Sequence, residues 1–168
     1  MIRLANKSMM FRLCLAAVLS LPASGARADD RADCRDSGGF FLTGVVVSEP
    51  RFAPGHDLHG VQLSHTKFRL SADQDGKAYE VAADNVFAPG YDRADDTIPA
   101  PLDRIHRFTR VELCGEPYTR GLGVHWVHTN CNDPSHPDGW LKLIGPTGPG
   151  ENLEGNTEYC RLWSRTGR

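Results

Sequence analysis

VQLSHTKFRLSADQDGKAYEVAADNVF, residues 61–87, decides the fold because it contains a complete β-hairpin. Residues 61–64 and 66–70 alternate apolar with polar side chains, as half-buried strands do. Residues 73–76 (Asp-Gln-Asp-Gly) are typical of a turn, and residues 78–87 return as the partner strand. The stretch therefore predicts antiparallel sheet in the middle of the chain.

Strand patterns continue on both sides of this hairpin. Upstream, residues 40–49 are rich in β-branched and aromatic side chains, and Gly44 among them is expected to mark a bulge or bend. Downstream, residues 107–112 and 122–129 predict the fourth and fifth strands. Between the third and fourth strands, residues 88–103 are rich in proline and aspartate, which favours a long surface loop.

Five strands, a bend glycine, one hairpin and one long connection predict an all-β fold. The architecture we expect is a small five-stranded OB-like Greek-key barrel with long loops, and an open sandwich is the alternative. No amphipathic helix of ordinary length is apparent, although residues 102–106 suggest a short helical turn.

The barrel domain is expected to span residues 38–144. A polar lead-in precedes it at residues 29–37, where Cys34 is the one expected point of attachment. A Gly/Pro-rich C-terminal tail follows at residues 145–168, irregular at first and ending in a short strand near residues 159–163.

The N-terminus is typical of an export signal. Three basic residues precede an apolar run at residues 13–21, and residues 26–28 (Ala-Arg-Ala) form a small-x-small cleavage site. We therefore expect a signal peptide at residues 1–28 and a periplasmic or secreted mature protein. The apolar run is shorter than the roughly 20 residues that span a bilayer, so no membrane anchor is expected.

The charge balance bears on the class of partner. Residues 1–28 carry four basic residues and no acidic one, so their removal from a chain with 19 basic and 21 acidic residues leaves 15 against 21 and a net charge of −6. Non-specific nucleic-acid binding depends on Lys and Arg that neutralise phosphates, so it is not expected here.

Four cysteines remain after the signal peptide: Cys34, Cys114, Cys131 and Cys160. An even number in an exported chain predicts two disulfides, and their spacing matches no zinc knuckle or CxxC pair. Three pairings are possible, and the sequence does not choose among them. We favour Cys131 with Cys160, which would tie the tail to a loop, and Cys34 with Cys114, which would pin the N-terminus to a core strand.

Candidate site residues are concentrated in residues 121–140, GLGVHWVHTNCNDPSHPDGW, which hold three of the seven histidines and two of the three tryptophans. On a regular strand, His125 and Val127 would face one side of the sheet, and Trp126 and His128 the other. The predicted binding residues are His125, Trp126, His128, Asn130, His136, Asp138 and Trp140.

A metal site is one interpretation of this stretch. Imidazole and carboxylate groups of His128, His136 and Asp138 are ligands that zinc or manganese accepts. In the alternative, the inward histidine is a core residue, Trp126 fills the barrel, and residues 137–139 (Pro-Asp-Gly) form a turn. No cofactor is expected unless a divalent metal occupies this cluster.

The stretch from residue 108 to residue 144 resembles a family of small exported bacterial proteins of unknown function. It has a G-E element at Gly115 and Glu116, then V-H-W-x-H at residues 124–128, then G-W at residues 139–140. The resemblance implies an OB-like β-barrel and export, and it implies no catalytic residues. Cysteines at positions 114 and 131 depart from the family pattern and suggest a disulfide-reinforced branch.

These observations together predict an exported, disulfide-stabilised OB-like module of the bacterial cell envelope that binds or interacts and has no catalytic residues. Its partner would be a cell-envelope protein, a glycan or a small ligand. The alternative is a metal-dependent hydrolase of the nuclease or phosphodiesterase type, built on His125 or His128 together with His136 and Asp138.

Overall fold

A computed structural model describes residues 26–92 and 95–162 of the protein, with side chains from Asp30 onward. Residues 1–25 of the predicted signal peptide and Trp163 of the predicted last strand lie outside these residues. The described part contains strands β1 (Phe40–Val46), β2 (Arg51–Ala53), β3 (Asp57–Leu58), β4 (Val61–Gln62), β5 (His65–Ala72), β6 (Ala78–Asp84), β7 (Arg110–Pro117), β8 (Gly123–His125), β9 (Trp140–Gly145) and β10 (Gly148–Asn152), helices α1 (Ala26–Asp36) and α2 (Ala100–Asp103), and 3-10 helices at Asn85–Phe87 and Glu158–Leu162.

Five of these strands close into a barrel, which confirms the predicted all-β architecture. β1 pairs with β5, β5 with β6, β6 with β8, β8 with β7, and β7 returns to β1. The β6–β8 pair is parallel, and the other four are antiparallel. β5 and β6 form the predicted hairpin, with the turn at residues 73–76.

Alternating side chains from these strands fill the barrel. Thr66, Phe68 and Leu70 of β5 are buried, as are Val81 and Ala83 of β6. The side chains between them, including His65 and Lys67, therefore point to the outside. The outer face of the β5–β6 hairpin is the face that carries the candidate site described below.

β8 and β9 lie along the same side of β7, one after the other. Glu116 of β7 pairs with His125 of β8, and Cys114 pairs with Trp140 of β9. The predicted strand over residues 122–129 is therefore shorter than expected, because the chain turns away at Trp126, whose φ is +54°. Residues 126–139 form an excursion, which we call the 126–139 loop, before the chain rejoins β7.

Two glycines allow this excursion. An added Cβ at Gly115 would collide with the backbone carbonyl of His125, and one at Gly139 would collide with the carbonyl of Trp126. The two ends of the 126–139 loop are therefore held against the sheet by close backbone approaches that only glycine permits.

The N-terminal lead-in is a helix, which the sequence patterns did not predict, and Cys34 is not its one point of attachment. α1 has 11 residues, and Gly38, with φ +81°, ends it by donating its N–H to the carbonyl of Arg35. The helix is fixed by the Cys34–Cys114 disulfide and by an ion pair of 2.8 Å between Asp30 and Lys142. The polar composition did not predict this helix, because a disulfide rather than an apolar face attaches it to the barrel.

The C-terminal tail is also more regular than expected. Gly148–Asn152 forms β10, which pairs with β9, and neither of these strands was predicted. The prediction of a last short strand near residues 159–163 is wrong, since Glu158–Leu162 is a 3-10 helix. The Cys131–Cys160 disulfide ties this helix to the 126–139 loop, so both favoured cysteine pairings are confirmed.

Smaller boundaries also differ from the sequence patterns. β6, the third of the strands expected from the sequence, ends at Asp84. The residues that follow it form the 3-10 helix Asn85–Phe87. The helical turn expected at residues 102–106 lies at Ala100–Asp103. Within the described residues, no helix is both long and apolar enough to cross a membrane.

Candidate functional site

An open groove lies on the outer face of the β5–β6 hairpin. Its volume is about 480 Å³, within the roughly 300–1,000 Å³ usual for small-ligand sites. Ala82 of β6 pairs with Lys67 of β5, and its small side chain leaves the depression. The groove is lined by His65, Lys67, Ala82, Tyr118, Thr119, Arg120 and His125.

Asp84 holds two histidines at one end of the groove. Its carboxylate accepts a hydrogen bond of 2.8 Å from His65 Nε2 and one of 3.2 Å from His128 Nε2. Burial alone would raise the pKa of Asp84, but the bonds from His128 and His65 outweigh it and hold the pKa of that carboxyl well below its usual range. Asp84 is therefore ionised.

His128 is buried and has an acceptor at each ring nitrogen. Its Nε2 faces Asp84, and its Nδ1 lies 2.7 Å from the backbone carbonyl oxygen of Thr129. Its side chain is only 2% exposed, and it stacks on Phe87 at 3.8 Å between ring centroids.

Trp126 continues this stack across the 126–139 loop. The indole lies 4.7 Å from the ring of His128 on one side and 3.9 Å from that of His136 on the other. His136 Nδ1 in turn bonds to Glu116 Oε1 at 2.6 Å. The indole is half-buried between two histidines outside the barrel core, which corrects the expectation that it fills the barrel.

Glu116 connects the stack to the groove. Its second oxygen lies 3.9 Å from Nε2 of His125, whose side chain is 42% exposed and lines the groove. His65 and His125, the two groove histidines, are thus each held by a carboxylate that also binds a histidine of the stack, His128 and His136 respectively.

Tyr118 forms the wall next to His125, with ring centroids 5.4 Å apart. Its hydroxyl donates to Glu80 Oε1 at 3.2 Å, and burial together with the Glu80 carboxylate raises the pKa of Tyr118 to about 12. Glu80 also pairs with Lys67 at 3.4 Å and with Arg51 at 3.7 Å. Arg120, which is exposed, has no carboxylate within ion-pair distance in the described part of the chain.

Glu154 lies behind the groove beside Asp84. Burial, and then the negative charge of Asp84, raise the pKa of Glu154 well above its usual value, so folding favours the neutral form of this acid. Its side chain is fully buried after the end of β10. A neutral acid next to an ionised one is the arrangement that two adjacent buried carboxyls adopt.

The structure separates the residues expected to form a metal site. His128 bonds to Asp84, His136 bonds to Glu116, and Asp138 accepts the backbone N–H of Asn130 at 3.1 Å. Throughout the described ranges, no group of three or more His, Cys, Asp or Glu side chains is placed to hold a metal ion.

The other predicted binding residues have structural contacts. The Asn130 side chain donates to the carbonyl of His136 at 3.2 Å and so braces the 126–139 loop. Trp140 is half-buried, with the Lys142 ammonium 5.0 Å from its ring centroid. Of the seven predicted binding residues, His125 alone lines the groove.

Sequence reasoning missed Asp84 and Glu116 as parts of the site. Asp84 and His65 are cross-strand partners, so the hairpin register would have placed them together. Glu116 pairs with His125 in the same way. No spacing along the chain signals either pair, because both are brought together by strand pairing.

Comparison with known proteins adds no residue roles to this geometry. No protein-family model matches the chain, and no curated protein is similar to it. The functional argument therefore depends on the groove and on its surroundings.

Proposed function

We propose that this protein is an exported binding module whose ligand occupies the groove on the β5–β6 face. The five barrel strands, numbered 1 to 5 along the chain, are β1, β5, β6, β7 and β8. They are arranged around the barrel in the order 1-2-3-5-4-1, and barrel strands 3 and 5 are parallel, which supports assignment as an OB-fold. OB-folds bind oligosaccharides and oligonucleotides on the face of strands 2 and 3, next to the loops between strands 1 and 2 and between strands 4 and 5.

The single observation that carries the proposal is the position of the groove. Its floor and one wall are β5 and β6, the second and third barrel strands, and its other wall is residues 118–120, which connect the fourth and fifth. The ligand class we propose is a glycan or a small ligand of the bacterial cell envelope. Among the described residues, no assembled set of metal donors favours the metal-dependent hydrolase.

Export belongs to the same proposal. Disulfides persist in oxidising compartments, and the two seen here support a periplasmic or secreted location. We expect protein recovered from the periplasm to begin at Asp29, three residues into α1. Intact-mass measurement checks this, and a retained Met1 would contradict it. Membership of the exported family with the G-E and V-H-W-x-H signature stays a prediction.

Binding in the groove is tested with the mature protein and two probes, chitotetraose and soluble peptidoglycan fragments released by a muramidase. We expect amide NMR signals of His65, Lys67, Ala82 and His125 to shift on titration, with those of α2 unchanged. Ala82→Leu fills the depression and is expected to weaken binding about tenfold or more, which corresponds to about 1.4 kcal/mol.

Ala78→Leu, on the same strand but not lining the groove, is the control. Signal shifts confined to the 126–139 loop would overturn the groove as the site. A panel of glycans that shifts no groove signal would overturn a glycan ligand.

A further inference from the structure

We propose that the ligand of this groove is an anionic sugar, a single sugar ring bearing a carboxylate or a phosphate, and that the groove binds it more tightly as the pH falls. This inference rests on the proposed function, since it specifies what the same groove recognises.

Charge at the groove is opposite in sign to that of the chain. The whole chain has a net charge of −2, with histidines neutral. The lining of the groove contains two cations, Lys67 and Arg120, and no carboxylate. The nearby carboxylates of Glu80, Asp84 and Glu116 lie behind this lining, and each contacts cationic or histidine side chains.

Pairing leaves one of these cations available. Lys67 and Arg51 both contact Glu80, and His128 contacts Asp84. Arg120 lines the groove without such a carboxylate partner in the described residues. A guanidinium presents a planar fork of donors that matches a carboxylate or a phosphate. An anion bound here would therefore contact the Arg120 guanidinium, which has no carboxylate partner among the described residues.

The two groove histidines supply the pH dependence. His65 and His125 each use Nε2 toward a carboxylate, and no hydrogen bond between described residues involves their Nδ1. Each carboxylate faces two imidazole rings: Asp84 faces those of His65 and His128, and Glu116 faces those of His125 and His136. Histidine is the side chain that changes charge between pH 5 and pH 8, so a falling pH adds positive charge at a groove with one carboxylate for each pair of rings.

The shape of the site favours a sugar ring beside the anionic group. The half-buried Tyr118 ring and the His125 ring meet at 55° and form one wall, which offers an aromatic surface with a polar rim. Thr119 adds a hydroxyl on the same side. The volume of about 480 Å³ suits one such ring with its charged substituent.

The test compares three probes that share one ring: galactose, galacturonic acid and galactose 6-phosphate. Calorimetric and NMR titrations at pH 5.5 are expected to show at least one anionic probe binding about tenfold or more tightly than galactose. The tighter of the two anionic probes identifies the charged group. Arg120→Gln should weaken that probe about tenfold and leave galactose unchanged, while Arg104→Gln, on an exposed arginine outside the groove, should change neither.

Galacturonic acid is the pH probe because its carboxylate stays ionised from pH 5.5 to pH 8. Its affinity is expected to fall about tenfold over that range, and the change must then come from the protein. His125→Gln should flatten this pH dependence. His106→Gln, on an exposed histidine outside the groove, should preserve it. Thermal unfolding of each variant confirms that it is folded.

Each outcome separates the two proposals. Galactose binding as tightly as both anionic probes would overturn the anionic sugar and keep the groove as a binding site. So would the uncharged chitotetraose shifting groove signals while neither anionic probe does. If no probe of any kind shifts a groove signal, both proposals are wrong. An anion affinity that does not change with pH would overturn the role given to the histidines.

Discussion

Replacing Asp84 with alanine is expected to lower the free energy of unfolding at pH 7 by about 3 to 5 kcal/mol, the range for removing one partner of a buried ion pair. The Asp84 side chain is 17% exposed and binds both His65 and His128. Without it, the buried His128 ring loses its carboxylate partner. Denaturant unfolding measures the change, and Asp103→Ala, at an exposed carboxyl, should stay within about 0.5 kcal/mol of the wild type.

The effect of Asp84 should depend on pH with a definite sign. Its pKa is lowered on folding, so its contribution is present above the carboxyl pKa of the unfolded chain, about 3.9, and is lost as the pH falls below it. The difference between the wild type and Asp84→Ala should therefore shrink between pH 4 and pH 2. A difference that is constant over this range would show that folding does not lower the pKa of Asp84.

Glu154, beside Asp84, is expected to show the opposite behaviour. Its pKa is raised on folding, so its contribution is present below the carboxyl pKa of the unfolded chain and is lost as the pH rises above it. Glu154→Gln should therefore stabilise the protein at pH 7, by about 0.5 to 2 kcal/mol as favourable single substitutions do. The gain should disappear near pH 4, and destabilisation at pH 7 would contradict a raised pKa for Glu154.

Removing either disulfide is the other change with a large expected effect. The bridges span 80 residues (Cys34–Cys114) and 29 residues (Cys131–Cys160). Each bridge lowers the entropy of the unfolded chain by closing a loop. Its removal should therefore lower the free energy of unfolding, by about 4.5 kcal/mol for Cys34–Cys114 and about 3.6 kcal/mol for Cys131–Cys160. The longer bridge should cost more, also because both of its cysteines are fully buried.

The measurement is denaturant unfolding of two double variants, Cys34→Ala with Cys114→Ala, and Cys131→Ala with Cys160→Ala. Each is compared with the wild type in the presence and absence of a reducing agent. Equal losses, or a larger loss for the shorter bridge, would show that native contacts rather than loop length set the contribution. The shorter bridge should instead affect the order of the 126–139 loop.

The barrel could be predicted because strand alternation and turn chemistry are local signals. Residues 66–70 alternate, and residues 73–76 turn, so the hairpin of β5 and β6 follows from a short window. The end of β8 could not be predicted. Trp126 leaves the strand with a positive φ because β9 takes the next place along β7, and that competition involves residues far apart in the chain. α1 was missed since it is fixed by a disulfide.

The partners of the histidines in residues 121–140 lie elsewhere in the chain. His125, His128 and His136 all belong to the polar network, but Asp84 comes from β6 and Glu116 from β7. Regular alternation placed Trp126 and His128 on one face, and the two rings do meet, though through a loop rather than a strand. Predicting cross-strand partners requires the register in which the strands pair, and a single sequence does not contain that register.

The free edges of the sheet bear on how the protein behaves at high concentration. Open strand edges are templates for pairing with other chains, and short strands, prolines and bulges block such pairing. β2, off the barrel path, has three residues between Pro50 and Pro54. β10, at the other end, contains Pro149 and a register shift before Asn152. Both edges are thus unsuited to intermolecular β-addition, so the folded protein should resist edge-to-edge aggregation.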